Sequence, residues 1–175
     1  EKGIYDLLDI ATSLKEKGCS MFVFHLCGSG SEEEPLRKAV SERSVGEMFR
    51  IHGPCRKEEM IGHINASQVF IVPTKTTFEE GYNKVVVEGL LSGRPVITST
   101  VCVYPNLEKL NDGVVLVAPD DIEGYKAAIE KLSGDKTYYE QRQKAATQGM
   151  KEFYDLSESW LALLRKIITD DMSHG

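Results

Sequence analysis

An α/β fold organised as a doubly wound parallel sheet is what this sequence predicts, and three observations carry that expectation. Five short apolar runs each have the length of one buried strand. Stretches with apolar residues at helical spacing separate them, and Gly or Pro marks many of the junctions. Apolar runs without alternation belong to strands covered on both faces, which in a parallel sheet means helices on each side joined by right-handed crossovers.

The elements follow in order. Ile4, Leu7, Leu8, Ile10, Ala11 and Leu14 recur at helical spacing, and Gly18 after Lys15 and Lys17 stops a first helix over residues 3–17. Met21 to Leu26 is an apolar run feeding a Gly28-Ser29-Gly30 loop, and a helix follows from Glu32 to Ser41. Met48 to Ile51 is the second strand, closing on Gly53-Pro54, with a helix from Lys57 to Asn65 behind it. Val69 to Val72 is the third strand. A helix over Tyr82–Ser92 is broken by Gly93-Arg94-Pro95 and leads to a strand at Val96–Ser99. The last strand, Val114–Val117, precedes helices at Ile122–Ser133, Lys136–Phe153 and Leu156–Ile168.

The 175 residues suffice for one domain over 1–175, with neither repeats nor a dividing linker. With 41% hydrophobic and 27% charged residues the chain is neither disordered nor fibrous. A net charge of -6 argues against broad binding to nucleic acid or an anionic bilayer. No apolar run approaches membrane-spanning length, and the start lacks the blocks of a signal peptide, so a soluble protein is expected. The first residue is Glu and not Met, which suggests a piece of a longer chain. Cys19, Cys27, Cys55 and Cys102 sit mostly in apolar runs without a Cys-x-x-Cys pair and are expected as small core residues in a reducing compartment. A zinc centre needs clustered ligands; His25, His52, His63 and His174 do not supply the spacing, so no metal site is expected.

In a parallel sheet the ligand crevice lies beyond the carboxyl ends of the strands. The Gly28-Ser29-Gly30 loop invites a dinucleotide reading, but Glu33 stands where a third glycine is due, and Glu32 and Glu34 would repel a pyrophosphate. What remains for Gly28 and Gly30 is to keep the crevice floor open to a nucleotide. The stretch Pro73 to Ile97 is more informative. A strand ends, a polar loop turns at Glu80-Gly81, and a helix begins whose free N–H groups at Tyr82, Asn83 and Lys84 suit an anion. Glu88 lies two turns into that helix among Val85, Val87 and Leu91; it either pairs with Lys84, four residues earlier, or accepts hydrogen bonds from a hydroxylated ligand.

Glu80 and Glu88 form a Glu-x7-Glu motif, and Pro73 to Ile97 resembles the donor-binding signature of retaining GT-B glycosyltransferases of family 4. Lys2-Gly3-Ile4, Gly28-Ser29-Gly30, Leu36 and Ile51-His52-Gly53 agree in order and distance, so the similarity spans residues 1–133. The resemblance implies a Rossmann-like domain, one half of a GT-B fold, the C-terminal half that holds a nucleotide-diphosphate sugar. It matches Lys2 to the lysine that neutralises the diphosphate, Glu80 to the acid on the sugar hydroxyls and Glu88 to the acid on the ribose. Gly81, Tyr82, Asn83 and Lys84 match the turn against sugar and distal phosphate, and Gly53, Pro54 and Cys55 the loop beside the base.

Transfer of the sugar builds negative charge on phosphate, which Lys2 and a helix N-terminus would stabilise without a metal or cofactor. Glu80 would orient the sugar. The implied partners are the donor and an N-terminal acceptor domain outside this chain, with no nucleic acid, in a cytoplasmic setting that leaves peripheral membrane contact to the full-length protein. Catalysis would belong to that protein, in polysaccharide or lipopolysaccharide assembly, and the piece alone would bind without turnover.

One departure stands out: the usual Gly-Phe-Gly is Gly81-Tyr82-Asn83 here, so Asn83 either contacts the ligand or tolerates unusual backbone angles. His25 is expected as a satisfied core histidine, His52 at the surface, and Arg56 and Lys57 on a solvated face. Thr74, Thr76 and Thr77 either bond a sugar or cap the loop. Leu156, Trp160, Leu163, Leu164 and Ile167 form an apolar stripe expected to pack on its own domain, with residues 154–171 the helix that in the resembled family crosses toward the other domain. Two alternatives are a non-enzymatic α/β ligand-binding or interaction module and a sugar phosphorylase or sugar-nucleotide epimerase on the same fold.

Overall fold

The computed structural model describes residues 2–78, 83–101, 112–153 and 156–172. The expectations placed on Glu80, Gly81, Tyr82 and Cys102 lie outside them. In chain order the elements are α1 (Ile4–Glu16), β1 (Phe24–Cys27), α2 (Glu33–Glu42), β2 (Phe49–Gly53), α3 (Lys57–Ala66), β3 (Phe70–Val72), α4 (Lys84–Leu91), β4 (Val96–Ser99), β5 (Val114–Val117), α5 (Ile122–Gly134), α6 (Lys136–Phe153) and α7 (Trp160–Met172). The α/β class and the parallel strands are as the apolar runs imply. The described strands, however, form two parallel sheets, β1-β2 and β3-β4-β5, and not one continuous sheet.

The break between them has a local cause. The apolar run read as Met21–Leu26 enters the sheet only at Phe24, leaving Met21 81% exposed and Val23 exposed. β3 is three residues long, and all three pair with β4. Val23, Phe24, Leu26, Val69 and Ile71 instead line a cavity of about 580 Å³ between the sheets. It is an apolar gap toward the strand starts, away from the strand-end loops that the sequence marks for ligand binding.

Two apolar clusters hold the layers. The larger joins α1 (Leu8, Ile10, Leu14), β1 and β2 (Phe24, Phe49) and α5 (Tyr125, Ile129). The smaller packs α4 (Val86, Leu90) onto Val72, Val96 and Val114, with Ala146 of α6 closing it. Gly89 permits that approach, since a Cβ there would fall 2.7 Å from Val96 and 2.9 Å from Phe70.

The tail departs from expectation. Leu156 lies in a short 3-10 turn, and the last helix begins at Trp160. Trp160 is 73% exposed, and Leu156, Leu163 and Leu164 are exposed with it, so this stripe does not pack on its own domain. The side chain of Ile167 lies outside the described residues. No helix among the described residues is long and apolar enough to cross a membrane.

Candidate functional site

The start of α1 is delivered to the β3 exit by one close contact. Gly3 has φ +70, a left-handed conformation that suits glycine, and a Cβ there would lie 2.9 Å from the Pro73 carbonyl carbon and nearer still to its oxygen. Only a residue without a side chain lets α1 begin against this loop. The consequence is positional: exposed Lys2 carries its Nζ to 5.3 Å from the Phe78 ring centroid, two residues before Glu80. Lys2 is thus seated beside the start of the loop that follows β3.

Asn83 corrects the expected start of the next helix. Its backbone (φ -82, ψ 97) is extended and unstrained, so it occupies no glycine-like conformation. It is the N-cap of α4: its Oδ1 accepts from Val85 N–H at 3.0 Å and Val86 N–H at 3.3 Å. The cap thus engages the amides of Val85 and Val86, which are not the ones the sequence analysis named for an anion. Asn83 is 4% exposed and its Nδ2 donates to Thr74 Oγ1 at 3.5 Å, so Thr74, 1% exposed, serves the loop from within. Thr76 and Thr77 are exposed.

On α4, Val86, Val87, Gly89 and Leu90 face the core, which leaves Lys84, Val85 and Glu88 on the outer face. Glu88 is exposed, so its aliphatic neighbours in sequence do not bury it, and no ion pair joins it to Lys84. The carboxylate projects from the helix that continues the β3 loop.

Lys75, which the sequence analysis passed over, ties this rim together. Its Nζ donates to Asp120 Oδ1 at 2.7 Å and lies 2.9 Å from Asp6 Oδ1, linking the β3 exit to α1 and to the loop after β5. Hydrogen bonds to Asp120 and then Asp6 hold its ammonium above the ordinary lysine range. Asp6 is 4% exposed, and its other oxygen has no partner among the described residues.

At the other sheet, Gly28 N–H donates to Gly53 O at 2.7 Å, joining the two strand-end loops. Gly28 and Gly30 are exposed with open space where a Cβ would stand, as an open crevice floor requires. Pro54 is exposed and Cys55 half-buried. Here the expectations for His25, Cys27 and Cys55 fail, whereas half-buried Cys19 packs against the larger core cluster as expected. His25 is exposed and stacks on His52, with Nδ1 and Nε2 3.0 Å apart. His63 of α3 lies against both rings, 3.9 Å from His52 and 5.7 Å from His25 between centroids.

Cys27, Cys55 and His63 offer ligand atoms all within 4.8 Å of one another, as do His25, His52 and His63. The absence of a linear ligand spacing was thus no guide: two parallel strands and a helix assemble the group. Burial, then the His63 and Arg50 charges, hold His25 below the ordinary histidine value, and His52 is lowered by burial, His63, His25 and Arg50. Burial and the hydrogen bond with Cys55 push the Cys27 thiol up to about 11.

Comparison with known proteins gives the family and the fold. The description "Glycosyl transferases group 1" matches residues 1–151. The D-inositol 3-phosphate glycosyltransferase of Streptomyces bingchenggensis is 27% identical over 130 residues, 74% of this chain and 28% of that protein. The 2-deoxystreptamine N-acetyl-D-glucosaminyltransferase of Niallia circulans is 22% identical over 133 residues, 75% of this chain and 33% of that one. The chain therefore spans no more than about a third of the curated relatives it matches. Among solved structures, the C-terminal domain of the glycosyl transferase group 1 family protein LpcC from Francisella tularensis superposes with a TM-score of 0.73 at 15% identity, covering 89% of this chain and 80% of that one. Such neighbours are C-terminal domains of the GT-B fold. With the sequence match spanning most of its length, the chain belongs to the glycosyl transferases group 1 family.

Proposed function

We propose that this chain is the donor-binding half of a retaining glycosyltransferase of family 4, holding a nucleotide-diphosphate sugar at the strand-end rim described above. The observation that carries the reading is the seat of Lys2. Gly3 packed on Pro73 fixes a cation beside the loop leading to Glu80, where the diphosphate of a donor would need its charge balanced. Glu88, exposed on the outer face of α4, takes the ribose hydroxyls; the Gly28 and Gly53 loops admit the base. Asn83 acts indirectly by shaping the start of α4, and Lys84 stands on its outer face. Transfer would then rest on charge and positioning at the departing phosphate, without a catalytic metal.

One solved neighbour, Anabaena Alr3699/HepE in complex with UDP, has a TM-score of 0.73 at 16% identity, over 99% of this chain and 46% of that one. It supports a uridine diphosphate as the first ligand to try. Titration of this chain with nucleoside diphosphates should show saturable binding that weakens about tenfold or more in Lys2→Ala and in Glu88→Ala. Unchanged affinity in both variants would favour a non-enzymatic α/β module. For the full-length protein, anomeric configuration of the product decides whether transfer retains stereochemistry, and the product itself separates a transferase from a phosphorylase or an epimerase. Assembly of a surface polysaccharide is the pathway we propose; WaaG, a neighbour superposing with a TM-score of 0.71 at 16% identity, is described as a glycosyltransferase of lipopolysaccharide biosynthesis.

A further inference from the structure

We propose that Cys27, Cys55 and His63, completed by one imidazole of the His25–His52 pair, bind a single thiophilic divalent cation of the zinc class, which pins α3 onto β1 and β2. The assignment stands apart from the donor-binding reading, because none of its histidines is assigned to the donor and the cation has no place in the transfer step.

The geometry begins with strand alternation. Successive side chains point to opposite faces, so Phe24 turns into the core while His25 and Cys27 share the other face. Parallel pairing sets β2 beside them, with a register shift between Leu26 and Cys27 that leaves His52 unopposed next to His25. The chain turns at Gly53-Pro54, presents Cys55, and enters α3, whose His63 comes back over the same face. Two triads that share His63, drawn from β1, β2, the loop after β2 and α3, thus adjoin, and all their members are nitrogen or sulfur ligands.

That donor set is selective. Thiolate and imidazole suit zinc and related ions, whereas magnesium or calcium want oxygen. A tetrahedral zinc with bonds of about 2.0 to 2.3 Å sets its ligand atoms roughly 3.5 to 3.8 Å apart. The Cys27, Cys55 and His63 atoms lie within 4.8 Å of one another, so a contraction of about 1 Å brings these three to bonding positions, and His63 links them to the His25–His52 pair that supplies the fourth. On binding, each thiol releases its proton to solvent and each imidazole donates a lone pair. The fourth ligand leaves the other histidine of the pair hydrogen-bonded behind it, the arrangement that orients metal-bound imidazoles.

A second observation says what such an ion would do. None of the ten residues of α3 is fully buried, so apolar packing holds this helix to the sheet only weakly. A bond to His63 would fasten it directly.

The test uses the whole chain, reduced, stripped with chelator and free of added histidines. Cobalt(II) titration should saturate at one equivalent, with a thiolate-to-cobalt charge-transfer band and the intense visible bands of a tetrahedral ion. Zinc should displace it and slow amide hydrogen exchange across Lys57–Ala66. In Cys27→Ser/Cys55→Ser the charge-transfer band should vanish. His63→Ala, on a helix with nothing fully buried and so expected to fold, should bind at least about tenfold more weakly. Cys19→Ser should match the parent. The proposal fails if the reduced chain takes up no cobalt, if the band survives the double substitution, if His63→Ala binds as the parent does, or if zinc leaves exchange in α3 unchanged.

Discussion

The two sheets end in rims of opposite character. Past β3 and β5 the buried polar side chains meet partners of another kind: Lys75 joins Asp6 and Asp120, and Asn83 joins Thr74 and two amides in the first turn of α4. Past β1 and β2 like meets like, three imidazoles and two thiols facing one another. The first set of pairings holds the loop beside which Lys2 is seated, and it leaves Lys84 and Glu88 exposed next to it. The second is rich in lone pairs, and groups of this kind gain from sharing a proton or a metal ion. The fold thus keeps scaffold and open coordination on separate sheets, and variants on either side should fail differently.

The largest effect belongs to the scaffold side. Gly3→Ala meets both a left-handed backbone and the Pro73 carbonyl, and should cost about 3 kcal/mol by urea unfolding, with donor binding lost as α1 shifts. Gly18→Ala is the matched control: its φ is +80, but nothing lies within 4 Å, so only about 1 kcal/mol is expected. Equal costs would show that the contact with Pro73 does not position Lys2. Next comes Lys75→Met, which strands the buried Asp6 carboxylate and should cost about 2 kcal/mol. Adding Asp6→Asn should recover most of the loss if the stranded charge is the cause. Asn83→Ala removes a cap on two amides, for about 1 kcal/mol, and Asn83→Ser should restore most of it.

How much of this was legible in the sequence follows from the range of each interaction. β4 and β5 run as their apolar stretches imply, and α1 differs from its expected span by one residue at each end, because periodicity and stop signals are local. Lys2 was singled out through the family motif, and its seat beside Phe78 depends on the contact of Gly3 with Pro73, which no local pattern announces. Asn83 was legible too: an Asn before an apolar helical run is an N-cap signal, overshadowed here by comparison with a glycine motif. Lys75 was not, since its partners Asp6 and Asp120 are remote from it in sequence on either side and carry no spacing signature. The His and Cys cluster fell between the two cases. Alternation puts His25 and Cys27 on one face, but only the pairing of β1 with β2 and the return of α3 bring His52, Cys55 and His63 to them.

The smallest expected effect, and the one most specific to the second rim, is its response to acid without metal. His25 of β1 and His52 of β2 are surrounded by His63 of α3, Arg50 of β2, Cys27 and Cys55; burial and the neighbouring cations hold both imidazoles below their ordinary value of 6.5. The folded chain therefore binds protons at these two sites less readily than the unfolded chain does. Stability is complete above pH 6.5 and declines as pH falls from there to the lowered folded-state values. Carboxylates elsewhere also respond to acid, so the measurement is a difference: urea midpoints of the chelator-treated parent and of His25→Gln/His52→Gln, from neutral pH into the acid range. The parent should lose more across the window just below pH 6.5, and the curves should run parallel above it. Parallel curves throughout would mean that the two rings titrate as though in water and that their gathering at this rim leaves their proton affinity unchanged.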